Sequence, residues 1–228
     1  MVIQMLEVAF NELESVVENP KMMGSESILC DCYLDGKHYI YKQPNSYNID
    51  TFNKMKALAK IQNEHLLLPK IFVFQTKPIG YLLPYLDGYE SFYNLKKNKT
   101  EKIKLLKKAK DVIIEMHKYG IIHGDLHTAN IMYKDDDIKI IDFESSKYLN
   151  YEFGETNDYS IEYLKRHKPN KNVDIYNFNI DTISILYKYN WHYVFNKEKL
   201  ETDEQLKVWQ KTKEKKRLTY NDFLIDRY

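Results

Sequence analysis

A short polar run near the middle of the chain constrains the fold more than any other feature. His123, Gly124, Asp125 and Asn130 lie in one stretch between apolar residues, and Asp142 follows twelve residues after Asn130 at the end of an apolar segment. Two carboxylates and an amide at these intervals can act together only if the fold brings a loop and the end of a following hairpin to one place. The structural alternative is an ordinary turn followed by a solvated strand end.

The spacing is typical of phosphoryl transfer from a metal-bound nucleotide. Such a site needs one carboxylate that orients the attacking hydroxyl, and Asp125 is the candidate. It also needs an amide oxygen five residues later and a second carboxylate, which together hold the metal against the phosphates. Asn130 and Asp142 are therefore the predicted metal ligands. The predicted cofactors are ATP and Mg²⁺, with Mn²⁺ as an alternative metal.

Composition bounds the class of protein. The chain has 228 residues, of which 43% are hydrophobic, and this is enough for one large domain or two lobes. A formal net charge of +1 gives no global attraction to nucleic acid or to an anionic membrane, so neither is expected as a partner. No apolar run approaches the roughly 18 residues that span a bilayer.

Cys30 and Cys32 lie two apart in a strand-like run and are expected to be reduced thiols. A cytoplasmic protein is predicted.

Hydrophobic periodicity and turn residues predict strands first and helices later. Residues 1–13 fit either a short helix or an extra strand. The other predicted elements are a hairpin of Ser27–Leu34 and His38–Gln43, a helix from Asp50 to about Gln62, strands Leu66–Phe74 and Ile79–Leu83, a helix from Thr100 as N-cap to Lys118, a helix from Val173 through Leu186, and an exposed helix or tail over Glu198–Lys216. Gly120 is expected to end the helix that begins at Thr100.

This order predicts an α+β fold of two lobes. A β-rich N-lobe, residues 1–85, would bind the nucleotide. A reduced helical C-lobe, residues 86–228, would carry the catalytic loop, the metal site and a substrate segment. The nucleotide is expected in a cleft between the lobes.

On these motifs the chain resembles the protein-kinase-like superfamily from about Gly24 to Leu186. His123–Asn130 is similar to the catalytic loop of that family, and Asp142-Phe143-Glu144 is similar to its metal-binding Asp-Phe-Gly. The resemblance implies that Lys42, at the end of a predicted strand, positions the α- and β-phosphates.

The resemblance extends beyond the catalytic loop. Ser160-Ile161-Glu162 stands where kinases carry Ala-Pro-Glu, and Asp174 stands where an aspartate braces the backbone of the catalytic loop. Residues 154–157 would then support a peptide substrate. These matches favour a protein substrate with a serine or threonine hydroxyl. They do not fix an oligomeric state.

The resemblance also places the nucleotide. Gly24 and Ser25 would belong to the loop over the phosphates, and Ile131 or Met132 would close the lower mouth of the adenine pocket. If Leu83 is the gatekeeper, the carbonyl of Pro84 would accept from the adenine amino group and the N–H of Leu86 would donate to the ring.

Several departures from the family leave alternatives open. The predicted helix has no acidic residue in 51–60 to pair with Lys42, and this permits a nonenzymatic binding module on a kinase scaffold. His127 stands where kinases usually carry a lysine, a pattern similar to that of the aminoglycoside and choline phosphotransferases. Asp142-Phe143-Glu144 also resembles the Asp-Phe-Glu of the choline-type kinases. These features favour a small-molecule phosphotransferase as the runner-up. His127 would either donate to the γ-phosphate or hold the loop. Overall size and the His-Gly-Asp-Leu run are also similar to the small kinases of the tRNA-modification complex.

Overall fold

The computed structural model describes residues 6–18, 27–46, 48–154, 158–165, 170–187 and 218–228. The chain divides into two compact units, Met1–Gly88 and Tyr89–Tyr228, which are described separately below. The first unit is dominated by a β-sheet and the second by helices, which confirms the predicted α+β class. In the part of the chain that is described, no helix combines the length and the apolar character needed to cross a membrane.

In the first unit, the described residues form a six-stranded sheet and one α-helix. Its strands have the order β1-β5-β6-β4-β3-β2. The elements are β1 Leu6–Ala9, β2 Glu14–Glu18, β3 Ser27–Leu34, β4 Lys37–Pro44, α1 Ile49–Leu58, β5 Ile71–Phe74 and β6 Pro78–Pro84. β1 pairs in parallel with β5, so of the two structures predicted for residues 1–13 the extra strand is present.

The predicted hairpin is confirmed as β3 and β4. Its two-residue turn, Asp35-Gly36, has φ of 51° and 70°, as a tight hairpin turn requires. Cys30 and Cys32 both face the core with 7% and 0% exposure, and both are free thiols. Burial raises the pKa of Cys32 to about 11, so this thiol is protonated and unreactive at neutral pH.

The strand predicted from Leu66 is wrong in its first part, because β5 begins only at Ile71. The Lys70 ammonium donates to the carbonyls of Ala59 and Ile61, at 2.7 Å each. The Leu66 and Leu68 N–H groups donate to the Asn63 and Leu66 carbonyls in local turns and so do not pair in a strand. The two Lys70 bonds tie the segment before β5 to the chain that follows α1. They also lie where the helix was predicted to continue to Gln62, four residues beyond its actual end.

The described residues of the second unit form three α-helices and a small sheet. The elements are β7 Glu90–Ser91, α2 Lys99–Lys118, β8 Ile131–Lys134, β9 Asp137–Ile140, α3 Asp158–Leu164 and α4 Asn172–Tyr187. The three strands are ordered β7-β8-β9. Leu106, Ile113 and Met116 are fully buried on one face of α2, as its apolar stripe predicted.

The N-cap of α2 is Asn98, and the prediction of Thr100 was wrong. The Asn98 side chain accepts from the Glu101 N–H at 3.0 Å, and the Glu101 carboxylate accepts from the Asn98 N–H at 3.1 Å. This reciprocal capping box satisfies two donors that a threonine two residues later would leave open. At the other end, Gly120 has φ of 78° directly after the C-cap and ends the helix as predicted.

The C-terminal segment packs on α4. Phe223 and Ile225 are almost fully buried. The Asn179 side chain of α4 donates to the Asp222 carbonyl and accepts from the Leu224 N–H, both at 2.9 Å. The segment 218–228 is therefore part of the folded second unit. The helix or tail predicted over Glu198–Lys216 lies outside the described residues.

Candidate active site

The predicted catalytic loop, His123–Asn130, follows the end of α2 at Lys118 and is tied to the strand end before Asp142. His123 is fully buried, and its Nδ1 accepts from the Asp125 N–H at 3.3 Å. The ring hydrogen therefore sits on Nε2, which donates to the Ile141 carbonyl at 2.9 Å. The Ile141 N–H in turn donates to the Asn130 carbonyl at 3.0 Å. Both ends of the loop are thus bonded to the residue next to Asp142.

Asp142 itself has a left-handed backbone, with φ of 65°. Aspartate is among the few residues other than glycine that adopt this conformation, and such residues concentrate at functional sites. The Phe143 ring is 1% exposed and packs against the His123 ring, with centroids 5.1 Å apart. The buried phenylalanine fixes the chain direction on one side of Asp142.

Asp125, His127 and Asn130 form one cluster. The Asn130 amide nitrogen Nδ2 donates to the Asp125 carbonyl at 2.9 Å and to its Oδ2 at 3.2 Å. His127 Nε2 lies 3.7 Å from the same Oδ2 and 3.2 Å from Asn130 Nδ2. The Asp125 side chain keeps 22% exposure, so a hydroxyl can approach it. Since Nδ2 is turned to Asp125, Oδ1 is the atom of Asn130 that remains to meet a cation.

His127 also shapes the loop. Its Nδ1 accepts from the Ala129 N–H at 3.2 Å and caps a 3₁₀ turn over Thr128–Asn130. In the neutral ring the hydrogen therefore lies on Nε2, which faces Asp125. Burial alone would lower the pKa of His127, but the Asp125 carboxylate 3.7 Å away and the charges of Asp181 and Asp142 outweigh it and raise the pKa.

Asp174 anchors the start of the loop from α4, as the resemblance predicted. Its fully buried carboxylate accepts from the N–H groups of His123 at 2.8 Å and Gly124 at 2.9 Å. It also accepts from Nε2 of His117, at the end of α2, at 2.9 Å. The Asp174 carboxylate thus joins α2, α4 and the loop through three hydrogen bonds.

Gly124 is explained by the structure. Its φ is 77°, and a Cβ at this position would lie 2.5 Å from the Phe153 ring. The larger residue that the family usually carries here would therefore meet both backbone strain and a steric clash. The Gly124 carbonyl accepts from the Ser160 hydroxyl of α3, and Ser160 accepts from the Asn177 amide of α4 at 2.8 Å.

The donor set around Asn130 and Asp142 fits a hard divalent cation. A carboxylate and an amide carbonyl are oxygen ligands, and Mg²⁺ is commonly held by one or two carboxylates together with substrate phosphates. Among the residues that the structure describes, no group of three or more His, Cys, Asp or Glu side chains is placed to hold a metal. The assignment of Asn130 and Asp142 as metal ligands stays a prediction.

Lys42 lies in the middle of the sheet of the first unit. It is 6% exposed in β4, opposite Leu29 of β3 and Tyr81 of β6. A second lysine of this unit, Lys54, is 3% exposed on α1, and the one acidic residue of α1 is Asp50, which is exposed in its first turn. A glutamate partner for Lys42 therefore does not come from α1.

The predicted nucleotide contacts remain predictions. Gly24 and Ser25 lie outside the described residues. Pro84 is the exposed last residue of β6, and Leu86 is half-buried just after it. Met132 is half-buried in β8, next to a fully buried Ile131, so of these two neighbours Met132 keeps an accessible side chain.

Sequence reasoning missed three buried polar residues around the loop: His117, Asn177 and Asp181. His117 lies in the last turn of α2, and the other two follow Asp174 on α4. A signal was present, because Asp174, Asn177 and Asp181 recur at helical spacing within an apolar segment.

Comparison with known proteins agrees with this geometry. The protein kinase domain family matches residues 30–223. The chain is 28% identical over 145 residues to a probable bifunctional tRNA threonylcarbamoyladenosine biosynthesis protein of Methanosphaera stadtmanae, covering 58% of the chain and 27% of that protein. It is 25% identical over 99 residues to the KEOPS complex subunit Bud32 of Pyrococcus abyssi, covering 43% of the chain and 45% of that protein. It is 27% identical over 173 residues to a probable serine/threonine-protein kinase 2 of Plasmodium falciparum, covering 68% of the chain and 34% of that protein. The chain thus spans less than half the length of each relative.

Proposed function

Because the chain belongs to the protein kinase domain family, we propose that it transfers the γ-phosphoryl group of ATP to a serine or threonine hydroxyl of a protein. The observation that carries this proposal is the bonding of Asp125, Asn130 and the residue before Asp142 into one network. The Plasmodium falciparum relative, named as a probable serine/threonine kinase, supports the acceptor class.

Each candidate site residue has a separate role in phosphoryl transfer. Asp125 orients the acceptor hydroxyl and accepts its proton late, since a loose transition state needs little base strength. The oxygens of Asn130 and Asp142 would hold Mg²⁺ or Mn²⁺, and Lys42 would position the nonreacting phosphates. His127 Nε2, which faces Asp125, would donate to the transferred phosphate. When bound, metal and ATP together supply the phosphoryl group and neutralise its charge.

The test replaces carboxylates by amides of equal size. We expect Asp125→Asn to lower the transfer rate by at least ~10²-fold, the usual loss when a positioned acid–base group is removed. Binding of Mg²⁺-ATP, measured by thermal shift, should be retained. Asp111→Asn is the matched control, because the Asp111 side chain is 73% exposed on α2 of the same unit. Unaltered turnover in Asp125→Asn would refute the role given to Asp125.

A panel of acceptors separates the substrate classes. The purified chain is incubated with γ-labelled ATP and, in turn, no acceptor, a generic protein, choline and an aminoglycoside. Label on the chain itself or on the protein supports a protein kinase, whereas label on an alcohol supports the small-molecule class. No transfer, together with no thermal shift at millimolar nucleotide, would favour a binding module.

A second candidate is a kinase that serves tRNA threonylcarbamoyladenosine formation. The observation in its favour is that two of the three relatives above carry names from this context or from the KEOPS complex. The test supplies the chain in place of Bud32 in a reconstituted Pyrococcus abyssi system and measures threonylcarbamoyladenosine in tRNA. Product above the level without any Bud32 would support this candidate, and product at that level would reject it.

A further inference from the structure

Three aromatic rings stack across one end of the sheet in the first unit. Tyr33 of β3 is paired in register with His38 of β4, and Tyr85 directly follows Pro84 of β6, which lies opposite Tyr39. This register sets the three side chains in a row on one face of the sheet. The ring centroids of Tyr33 and His38 are 4.8 Å apart at 11°, and those of His38 and Tyr85 are 3.9 Å apart at 16°. These three residues are called the ring stack below.

His38 is the fixed centre of the ring stack. Its Nε2 lies 2.8 Å from Oδ1 of Asp31, two residues before Tyr33 on β3, so a hydrogen bond orients the ring. Tyr33 and Tyr85 come from the two sides of β4 and stack on opposite faces of His38. Because the His38 ring is held at its edge and on its faces, it gives Tyr85 a defined surface to pack on.

The ring stack ends in the segment that the resemblance assigns to adenine. The carbonyl of Pro84 belongs to the peptide unit before the Tyr85 Cα, and the N–H of Leu86 belongs to the unit after it. Because peptide units are planar, the position and the two dihedral angles of Tyr85 set the directions of both groups. A contact that holds Tyr85 therefore also holds both of the predicted adenine contacts.

The backbone alone holds this segment weakly. The pairing of β6 with β5 reaches only Leu82, so among the described strands Pro84 has a neighbour on the β4 side alone. On that side the Tyr85 N–H donates to the His38 carbonyl at 3.5 Å, a long hydrogen bond. In a trans peptide the Pro84 carbonyl points opposite to that N–H, away from β4 and past the end of β5. Pro84 is exposed, so a donor on a ligand can reach this carbonyl.

We propose that the ring stack positions the adenine-binding backbone, with His38 and Tyr85 as positioning residues that keep the Pro84 carbonyl and the Leu86 N–H in the directions adenine needs. This inference rests on the proposed function, in which the chain binds ATP. The ring stack acts on the adenine end of the nucleotide, so it sets the affinity for ATP and not the rate of phosphoryl transfer.

Alanine substitution of His38 tests the proposal, with binding of Mg²⁺-ATP measured by isothermal titration calorimetry. If loss of the ring leaves residues 84–86 in the competent direction only about a tenth of the time, Kd should rise about tenfold. His38→Phe keeps a ring at this position and should restore most of the affinity. Tyr93→Ala is the control, because it removes a tyrosine ring that is 77% exposed in the second unit; it should leave Kd unchanged.

Kinetics and a second background separate positioning from a general effect on the fold. In His38→Ala the KM for ATP should rise while kcat at saturating ATP stays the same, the pattern of a lost binding contribution. In the Tyr85→Ala background, His38→Ala should have almost no further effect on Kd. Three results would each overturn the proposal: an unchanged Kd in His38→Ala, a Kd in His38→Phe as weak as in His38→Ala, or an equal loss with and without Tyr85.

A measurement without nucleotide keeps this inference separate from the proposed function. In His38→Ala the NMR backbone amide resonances of Tyr85 and Leu86 should move and their hydrogen exchange should become faster, whereas the amide of Val73 in β5 should stay in place. Tyr85 and Leu86 amides that do not change reject the proposal even in an active kinase. A natural chain that binds ATP without transferring phosphate would refute the proposed function, while Kd and the amides still decide on the ring stack; a natural chain that binds no ATP would refute both. Should His38→Ala fail to fold, Tyr33→Ala removes the outer ring, which is 39% exposed, and the same amides decide.

Discussion

Asp174 offers the sharpest test of how the catalytic loop is held, because one buried carboxylate accepts three hydrogen bonds. The donors are the N–H groups of His123 and Gly124 and Nε2 of His117, at 2.8, 2.9 and 2.9 Å. Asp174→Ala would leave all three donors buried without an acceptor. Asp174→Asn keeps the volume and one acceptor oxygen but turns an NH₂ group toward at least one donor.

The magnitude follows from these three donors. An unsatisfied buried donor costs about 1–3 kcal/mol, so Asp174→Ala should lower the free energy of unfolding by roughly 3–9 kcal/mol. That is a large share of the roughly 5–15 kcal/mol that holds an ordinary domain folded. Asp174→Asn should lose about 2–4 kcal/mol, since one or two of the bonds can re-form. His117→Gln removes a single partner and should cost about 1–2 kcal/mol.

The assay is urea unfolding followed by circular dichroism, with the midpoint and the m-value fitted for each variant. Asp111→Asn, on the exposed face of α2, is the control and should stay within about 0.5 kcal/mol of the natural chain. The expected order of loss is Asp174→Ala, then Asp174→Asn, then His117→Gln. A loss below about 1 kcal/mol in Asp174→Ala, at an unchanged m-value, would show that the carboxylate does not hold the loop.

Three further predictions concern stability. Gly124→Ala should lower the melting temperature, because its φ of 77° strains any other residue and the new Cβ would meet Phe153 at 2.5 Å; adding Phe153→Ala should recover part of the loss, and no recovery would contradict the clash. The pKa of Asp181 is raised from 3.8 to about 8, so its protonated form stabilises the fold at low pH and this contribution is lost as the pH rises toward 8. Urea unfolding at several pH values should therefore show the natural chain losing stability relative to Asp181→Asn by up to about 1.4 kcal/mol per pH unit between pH 4 and 8, whereas parallel curves would contradict a buried proton. Phe223→Ala should cost about 3–5 kcal/mol in unfolding free energy, since this ring is 1% exposed against α4, and a neutral result would mean that the segment 218–228 is not part of the core.

The sequence predicted the parts of the fold that depend on local pattern. The turn Asp35-Gly36, the apolar stripe of α2 and the stop at Gly120 each depend on residues close together in the sequence, and each was confirmed. The meeting of the loop with the strand end before Asp142 could also be predicted, because the spacing of Asp125, Asn130 and Asp142 has chemical meaning only if they converge.

The errors in the predicted start of α2 and the predicted start of β5 arose where hydrogen bonds, and not hydrophobic periodicity, determined the local structure. Asn98 and Glu101 begin α2 because together they satisfy two backbone donors, a choice that hydrophobic periodicity does not reveal. Before β5, the Leu66 and Leu68 N–H groups bond to the Asn63 and Leu66 carbonyls in local turns, although the residues from Leu66 onward look like a strand. In both places short-range hydrogen bonds decided between two locally acceptable structures.

The interactions that hold the candidate site come mainly from outside the catalytic loop. Asp142 has a left-handed backbone, a conformation that costs about 1–3 kcal/mol and persists only where the surroundings enforce it. Two hydrogen bonds one residue upstream provide that enforcement, from His123 to the Ile141 carbonyl and from the Ile141 N–H to Asn130. His123 is fixed in turn by Asp174, on a helix that is buried on nearly all sides. The direction of the Asp142 carboxylate therefore depends on a buried aspartate 32 residues later in the chain, and a substitution at Asp174 should disturb Asp142 before it disturbs the exposed edge of Asp125.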